Sequence, residues 1–105
     1  MLGRYAEGIE DFTTAISIDP NFAFPYANRG YCRMHLGQLE DGYEDVERSL
    51  LLDPQNGYAY RNLGFYHLLK KEKSLALDHF REAATYDENI PDLAELWDRA
   101  DALED

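Results

Sequence analysis

Apolar and small residues along the chain recur every three or four positions, and the whole arrangement then recurs at a longer interval. ISIDPNFAFPYANRG, residues 16 to 30, and LLLDPQNGYAYRNLG, residues 50 to 64, share an aliphatic run, Asp-Pro, a polar break, an aromatic residue, Asn and Gly. Asp19, Asp53 and Asp87 are spaced 34 apart, as are Phe12, Val46 and Phe80. Gly8, Gly42 and Ala76 keep a small residue at a fixed place in the period, and Ile18, Leu52 and Tyr86 a large one. A period of this length is the signature of stacked supersecondary units, each unable to bury its apolar face alone.

Each period divides into two helical halves. Over residues 23 to 36 the 3-to-4 spacing runs through Tyr26, Gly30 and Arg33, with Pro25 tolerated in a first turn. Over 40 to 53 it runs through Tyr43, Val46 and Leu50, and Pro54 stops the helix. Residues 57 to 70 and 74 to 86 repeat the pair, with Leu63, Tyr66, Leu77, Phe80 and Ala84 on the buried sides. Gly37 falls where a left-handed C-terminal cap turns the chain. Gly3 takes that place one period earlier and Lys71 one period later, the lysine at some cost in backbone energy. Gly30 and Gly64 on the first helices, with Gly8, Gly42 and Ala76 on the second, let paired helices approach closely. Tyr26, Tyr60, Phe12 and Phe80 fill the space beside them.

These residues resemble the tetratricopeptide repeat. Tyr60, Leu63, Gly64, Ala76, Phe80 and Ala83 are similar to its pattern in one period, and Tyr26, Gly30, Gly42, Val46, Ser49 and Pro54 in the period before. Gly3, Tyr5, Gly8, Phe12, Ala15 and Pro20 resemble the later half of an earlier one. Arg29 and Arg33 depart from it, standing where the family carries Leu and Tyr, and Glu88 replaces a terminal proline. The resemblance implies an all-α, right-handed superhelical solenoid in a single domain. It would hold a partial repeat at 1–22, repeats at 23–56 and 57–90, and a capping helix at 91–105. Met1 falls late in a first helix, so the chain opens on a second helix without its partner and reads as a fragment of a longer array. The alternative is a self-assembling piece in which the Met1–Ile18 helix mediates homo-oligomerisation.

In NIPDLAELWDRADALED, Leu93, Leu96, Trp97, Ala100 and Leu103 share one stripe, and Asp92, Glu95, Asp98, Asp101, Glu104 and Asp105 fall largely on the other faces. A solenoid needs such an end helix with a polar outer side. Trp97 is expected as its anchor, in preference to a binding-site aromatic.

Charge narrows the partners. The chain has 105 residues, 45% of them hydrophobic, with 21 acids against 10 bases and a net charge of -11. That field opposes nucleic acid and anionic lipid and favours a basic or apolar protein or peptide. EDGYEDVE, residues 40 to 47, reads as a solvated convex face; its carboxylates sit on a helix, where no loop can wrap calcium. No apolar run approaches the roughly 20 residues needed to cross a bilayer, and MLGRYAEG lacks the form of a signal peptide. The single Cys32 excludes an internal disulfide framework and a multi-cysteine zinc site, and it fits a reduced, cytoplasmic setting.

Catalysis finds little support. His35, His67 and His79 are far apart in sequence, with no metal-binding spacing, and His79 between Asp78 and Glu82 reads as part of a solvated face. Cys32 reads as a small half-buried residue. Neither a metal nor a cofactor is expected, and the chain reads as a non-enzymatic protein-interaction module, an adaptor or scaffold. Its family resemblance implies that first helices line a concave surface holding peptides or a partner helix. The exposed places there are Phe24, Asn28, Tyr31 and His35, with Ala27 and Met34, then Tyr58, Arg61, Asn62 and Phe65, with Leu68. Aromatics interleaved with amide and guanidinium groups can grip a peptide. YANRG resembles the Asn-bearing segment of the subfamily that clamps C-terminal carboxylates. Tyr58 and Asn62, however, occupy the places where that clamp needs Lys and Arg, which disfavours an acidic tail.

Overall fold

A computed structural model describes residues 2–104; Met1 and Asp105, assigned above to the first and last helices, lie outside the described residues. Six helices account for the regular structure among the described residues: α1 Leu2–Ile18, α2 Ala23–His35, α3 Leu39–Leu52, α4 Gly57–Leu69, α5 Lys73–Tyr86 and α6 Leu93–Asp101. The helices expected at 23–36, 40–53, 57–70 and 74–86 agree with α2 to α5 to within a residue at each end, whereas the end helix expected over 91–105 is shorter, running Leu93–Asp101. The chain forms two compact units, Met1–Asn56 and Gly57–Asp105.

The turns show why the repeated residues are what they are. In each period the aspartate after the second helix accepts a hydrogen bond from the backbone N–H two residues on. The pairs are Asn21 to Asp19 at 3.1 Å, Gln55 to Asp53 at 3.1 Å and Asn89 to Asp87 at 2.9 Å. This side-chain turn gives a partner to a backbone N–H of the connecting segment just past the helix. Gly37 turns the chain with φ 83, placing its own N–H on Met34 O and that of Gln38 on Arg33 O. The same double bond recurs 34 residues later, from Lys71 to Leu68 O and Glu72 to His67 O, with Lys71 held at φ 61. Gly3 does not take this role. It lies inside α1, where the helix runs on from Leu2 and the capping position is never reached.

In the first unit α2 packs between α1 and α3. Val46, Ala27 and Met34 are buried, and Gly30 faces Gly42 so closely that a Cβ on either would sit under 3 Å from the other's carbonyl oxygen. Tyr26 donates its hydroxyl to Pro20 O at 3.0 Å. The acidic stretch of α3 is not wholly a solvated face, as the sequence suggested. Asp45 is buried and accepts from Arg29 at 2.8 and 3.0 Å and from Arg33 at 2.7 Å. The two arginines that depart from the repeat pattern therefore have a shared purpose, a bridge from α2 to α3. The bond to Asp45 raises the Arg29 pKa above its ordinary value, against the opposing effect of burial. Asp45→Ala should cost about 2 kcal/mol in chemical denaturation, below the range for fully buried pairs because both guanidiniums keep some water.

In the second unit α5 packs on α4, and α6 touches both. Phe80, Ala76 and Ala83 are buried from α5, and Leu93, Leu96 and Ala100 from α6. Tyr60 stacks on Tyr86 with ring centroids 5.5 Å apart. Two expectations are corrected here. Ala84 is exposed, because it borders an open recess beside Leu93, Ala94 and Trp97 that these side chains do not fill. Trp97 is only half-buried, and the fully buried anchor of α6 is Leu96, at 2% exposure.

Candidate functional site

The residues expected to line a groove fall into two groups, one on each unit. On α2, Phe24 is 42% exposed and stacks near Phe22, itself 54% exposed, with centroids 6.1 Å apart. One turn on, the half-buried Asn28 donates its Nδ2 to Phe24 O at 3.1 Å. Tyr31, Ala27 and Met34 are buried and not presented to solvent. The physical reason for Tyr31 is visible further along the helix. Its ring meets His35 edge-on at 4.6 Å, and Tyr5 of α1 stacks flat on His35 at 4.2 Å, so α1 closes over this end of α2.

On α4, Tyr58 remains half-exposed, while Arg61, Asn62, Phe65 and Leu68 are buried, contrary to expectation. Arg61 lies 5.3 Å over the Tyr58 ring, donates Nε to Asn62 Oδ1 at 3.0 Å and reaches Pro91 O at 3.2 Å. Phe65 sits beneath the guanidinium of Arg99, 5.9 Å away on α6. The segment leading into α6 and α6 itself thus occupy the face of α4 that the sequence assigned to a ligand. A buried guanidinium bonded to a carbonyl and an amide serves to dock that segment and is not displayed to a partner.

Sequence spacing missed one cluster. His67 of α4 and His79 of α5 stack at 5.3 Å, nearly parallel. His67 Nδ1 is 2.9 Å from Glu72 Oε1, and His79 Nδ1 is 3.4 Å from Glu82 Oε1. The His67 bond holds the Glu72 carboxyl below its ordinary range, with the His67 and Lys70 charges adding to it and desolvation opposing. Only the helical pairing of the two halves of the period could have brought these rings together. Among the described residues no group of three or more His, Cys, Asp or Glu is placed to hold a metal ion, and no helix is long and apolar enough to cross a membrane. Cys32 is half-buried as expected, with its Sγ 2.9 Å from where a Cβ on Gly8 would stand.

Two units made of helical hairpins with a shared 34-residue grammar define an all-α helical-repeat protein. The comparisons with known proteins then name the repeat. Residues 2–22 match the family model of the tetratricopeptide repeat. The TPR2B domain of yeast Sti1, solved as a pHsp70 complex, is similar over 94% of this chain and 84% of that one, with a TM-score of 0.75 and 21% identity. The first TPR of Spaghetti (RPAP3), bound to the HSP90 peptide SRMEEVD, is similar over 94% and 79%, at 0.75 and 17%. The Arabidopsis OM64 TPR domain is similar over 93% and 81%, at 0.76 and 20%. No curated protein matches the sequence. The chain therefore has the tetratricopeptide-repeat fold, and the assignment made from its residues stands.

Proposed function

We propose that the chain is a protein-interaction module, without catalysis of its own, that holds a peptide or partner helix on the exposed face of α2. The observation that carries this reading is the Phe22–Phe24 pair, two phenylalanines exposed side by side with the Asn28 amide one turn on. Exposed aromatics beside a polar anchor are what a peptide-binding surface offers. Neighbours of the same fold, one solved as a pHsp70 complex and one bound to an HSP90 peptide, support it. On α4, Arg61, Asn62 and Phe65 are engaged inside the second unit and are not part of this surface. The ligand differs from an acidic tail in chemistry. A net charge of -11 repels carboxylates, and Tyr58 and Asn62 supply no cation. A reduced, cytoplasmic setting goes with this reading, in keeping with the lone Cys32 thiol.

Two measurements test it. In isothermal titration SRMEEVD should fail to saturate the chain below about 1 mM. In parallel, extract proteins captured by the native chain should be lost from a Phe24→Ala, Asn28→Ala variant of unchanged helicity. Identical captures would remove α2 as the site, and tight SRMEEVD binding would reinstate a carboxylate ligand. A second reading, homo-oligomerisation through α1, has its own observation. Tyr5, Ile9, Phe12 and Ile16 are all only half-buried, and Ile18 is 79% exposed. A sedimentation mass that stays monomeric as concentration rises would dispose of it.

A further inference from the structure

Outside the α2 face, the second unit has a notch of about 260 Å³ between α5 and α6. Ala84, Leu93, Ala94 and Trp97 give it apolar walls, and Arg81 and Glu88 stand at its rim. Pockets for whole small molecules run to about 300–1,000 Å³ and are more enclosed, so this one suits a single large side chain. The Trp97 ring is already covered on one side by a cation. The Arg81 guanidinium lies 5.2 Å from its centroid while bonding Asp78 at 3.1 Å, and the Arg81 side chain stays 63% exposed. A wet aromatic face that holds a guanidinium has the chemistry to hold another.

Charge identifies the occupant. From Asp78 to Asp105 the chain carries ten acidic residues against Arg81 and Arg99, a net of -8 within the total of -11. Both arginines are engaged, Arg81 by Asp78 and Trp97, Arg99 by Phe65. The recess therefore has one carboxylate, Glu88, and one already engaged cation, Arg81, in its lining, within a stretch of strongly negative net charge. We propose that the α5–α6 notch seats one large apolar side chain of a lysine- or arginine-rich partner segment. The apolar side chain enters against Trp97 and Leu93. The flanking cations meet Glu88 and the acidic residues around it, which also draws the segment in from a distance. This surface is separate from the α2 face and does not depend on it.

Trp97 is the one tryptophan in the chain, so its fluorescence reports the notch directly. The probe is the capped hexapeptide KKLFKK, with KKAAKK and EELFEE as comparisons. KKLFKK should shift Trp97 emission saturably, with an affinity that falls as salt rises. KKAAKK should bind about tenfold more weakly for want of the apolar side chains, and EELFEE should leave the emission unchanged. Glu88→Lys should weaken KKLFKK about threefold. Ala94→Gln, which fills the recess from an exposed helical position, should weaken it further, whereas Phe24→Ala should leave it as in the native chain. Equal binding of KKAAKK and KKLFKK would overturn the proposal, because charge alone would then explain the affinity. So would bound KKLFKK with unshifted emission. A shift produced by raising the protein concentration without peptide would assign the notch to a second copy of the chain and overturn it equally.

Discussion

Gly30→Ala should lower stability by about 3 kcal/mol and the melting temperature by more than about 10 °C, read by circular dichroism. The added methyl would lie 2.8 Å from Gly42 O, 3.1 Å from Val46 Cγ2 and 3.2 Å from Asp45 Cβ. The first of these atoms is backbone and cannot rotate away, so α2 and α3 must move apart. Separation opens the contacts of Val46 and Met34, both buried, and stretches the bonds from Arg29 and Arg33 to Asp45. Gly42→Ala meets the reverse obstacle, with Gly30 O at 2.7 Å and Met34 Cγ at 2.8 Å. Once one methyl has parted the helices the second costs little, so the double variant should be less damaging than the two singles added together. Gly3→Ala provides the contrast. Nothing lies within 4 Å of its Cβ position and it is helical, so it should be neutral to slightly stabilising. A Gly30→Ala protein that melts with the native one would mean that the close crossing of α2 and α3 is absent.

The repeat was legible because its marks are local. An aspartate that closes its own turn, a glycine that must take positive φ and a glycine facing another helix each impose a residue type at a fixed place. Asp19, Gly37 and Gly30 could therefore be read one after another. Arg29 and Arg33 were legible only as anomalies. Two arginines four apart on a packing face require a carboxylate opposite, but the sequence did not say that Asp45, among five acids on α3, was the one turned inward. The groove was least legible. Helical periodicity identifies a face of α4 but not what later covers it. Arg61 owes its burial in part to Pro91 O, thirty residues downstream, and Phe65 lies under Arg99. On α2, Phe24 stayed exposed while Tyr31 did not, because Tyr5 and His35 close one end of the helix and leave the other open. The His67–His79 stack escaped notice for the same reason. Two positions twelve apart become neighbours only when the hairpin folds back on itself.

Phe80→Ala should be the most damaging truncation in the second unit, at about 4 kcal/mol. Phe80 is 1% exposed, and its ring fills the space where a Cβ on Gly64 would have to go. This contact makes the two positions interdependent. In the native chain Gly64→Ala should cost about 2 kcal/mol, since the buried ring cannot swing clear without disturbing its neighbours. In a Phe80→Ala background the same methyl enters the vacated space, restores part of the lost contact and should be neutral or stabilising. Equilibrium denaturation of the four proteins should therefore give a coupling of about 2 kcal/mol, where independent sites would give nearly none. The experiment also bears on the notch, because Phe80 forms part of its lining. Removing the ring should deepen the recess and shift Trp97 emission towards that of a more hydrated indole even in the folded state. Additive stabilities with unchanged Trp97 emission would show that Phe80 supports neither the α4–α5 crossing nor the wall shared with α6.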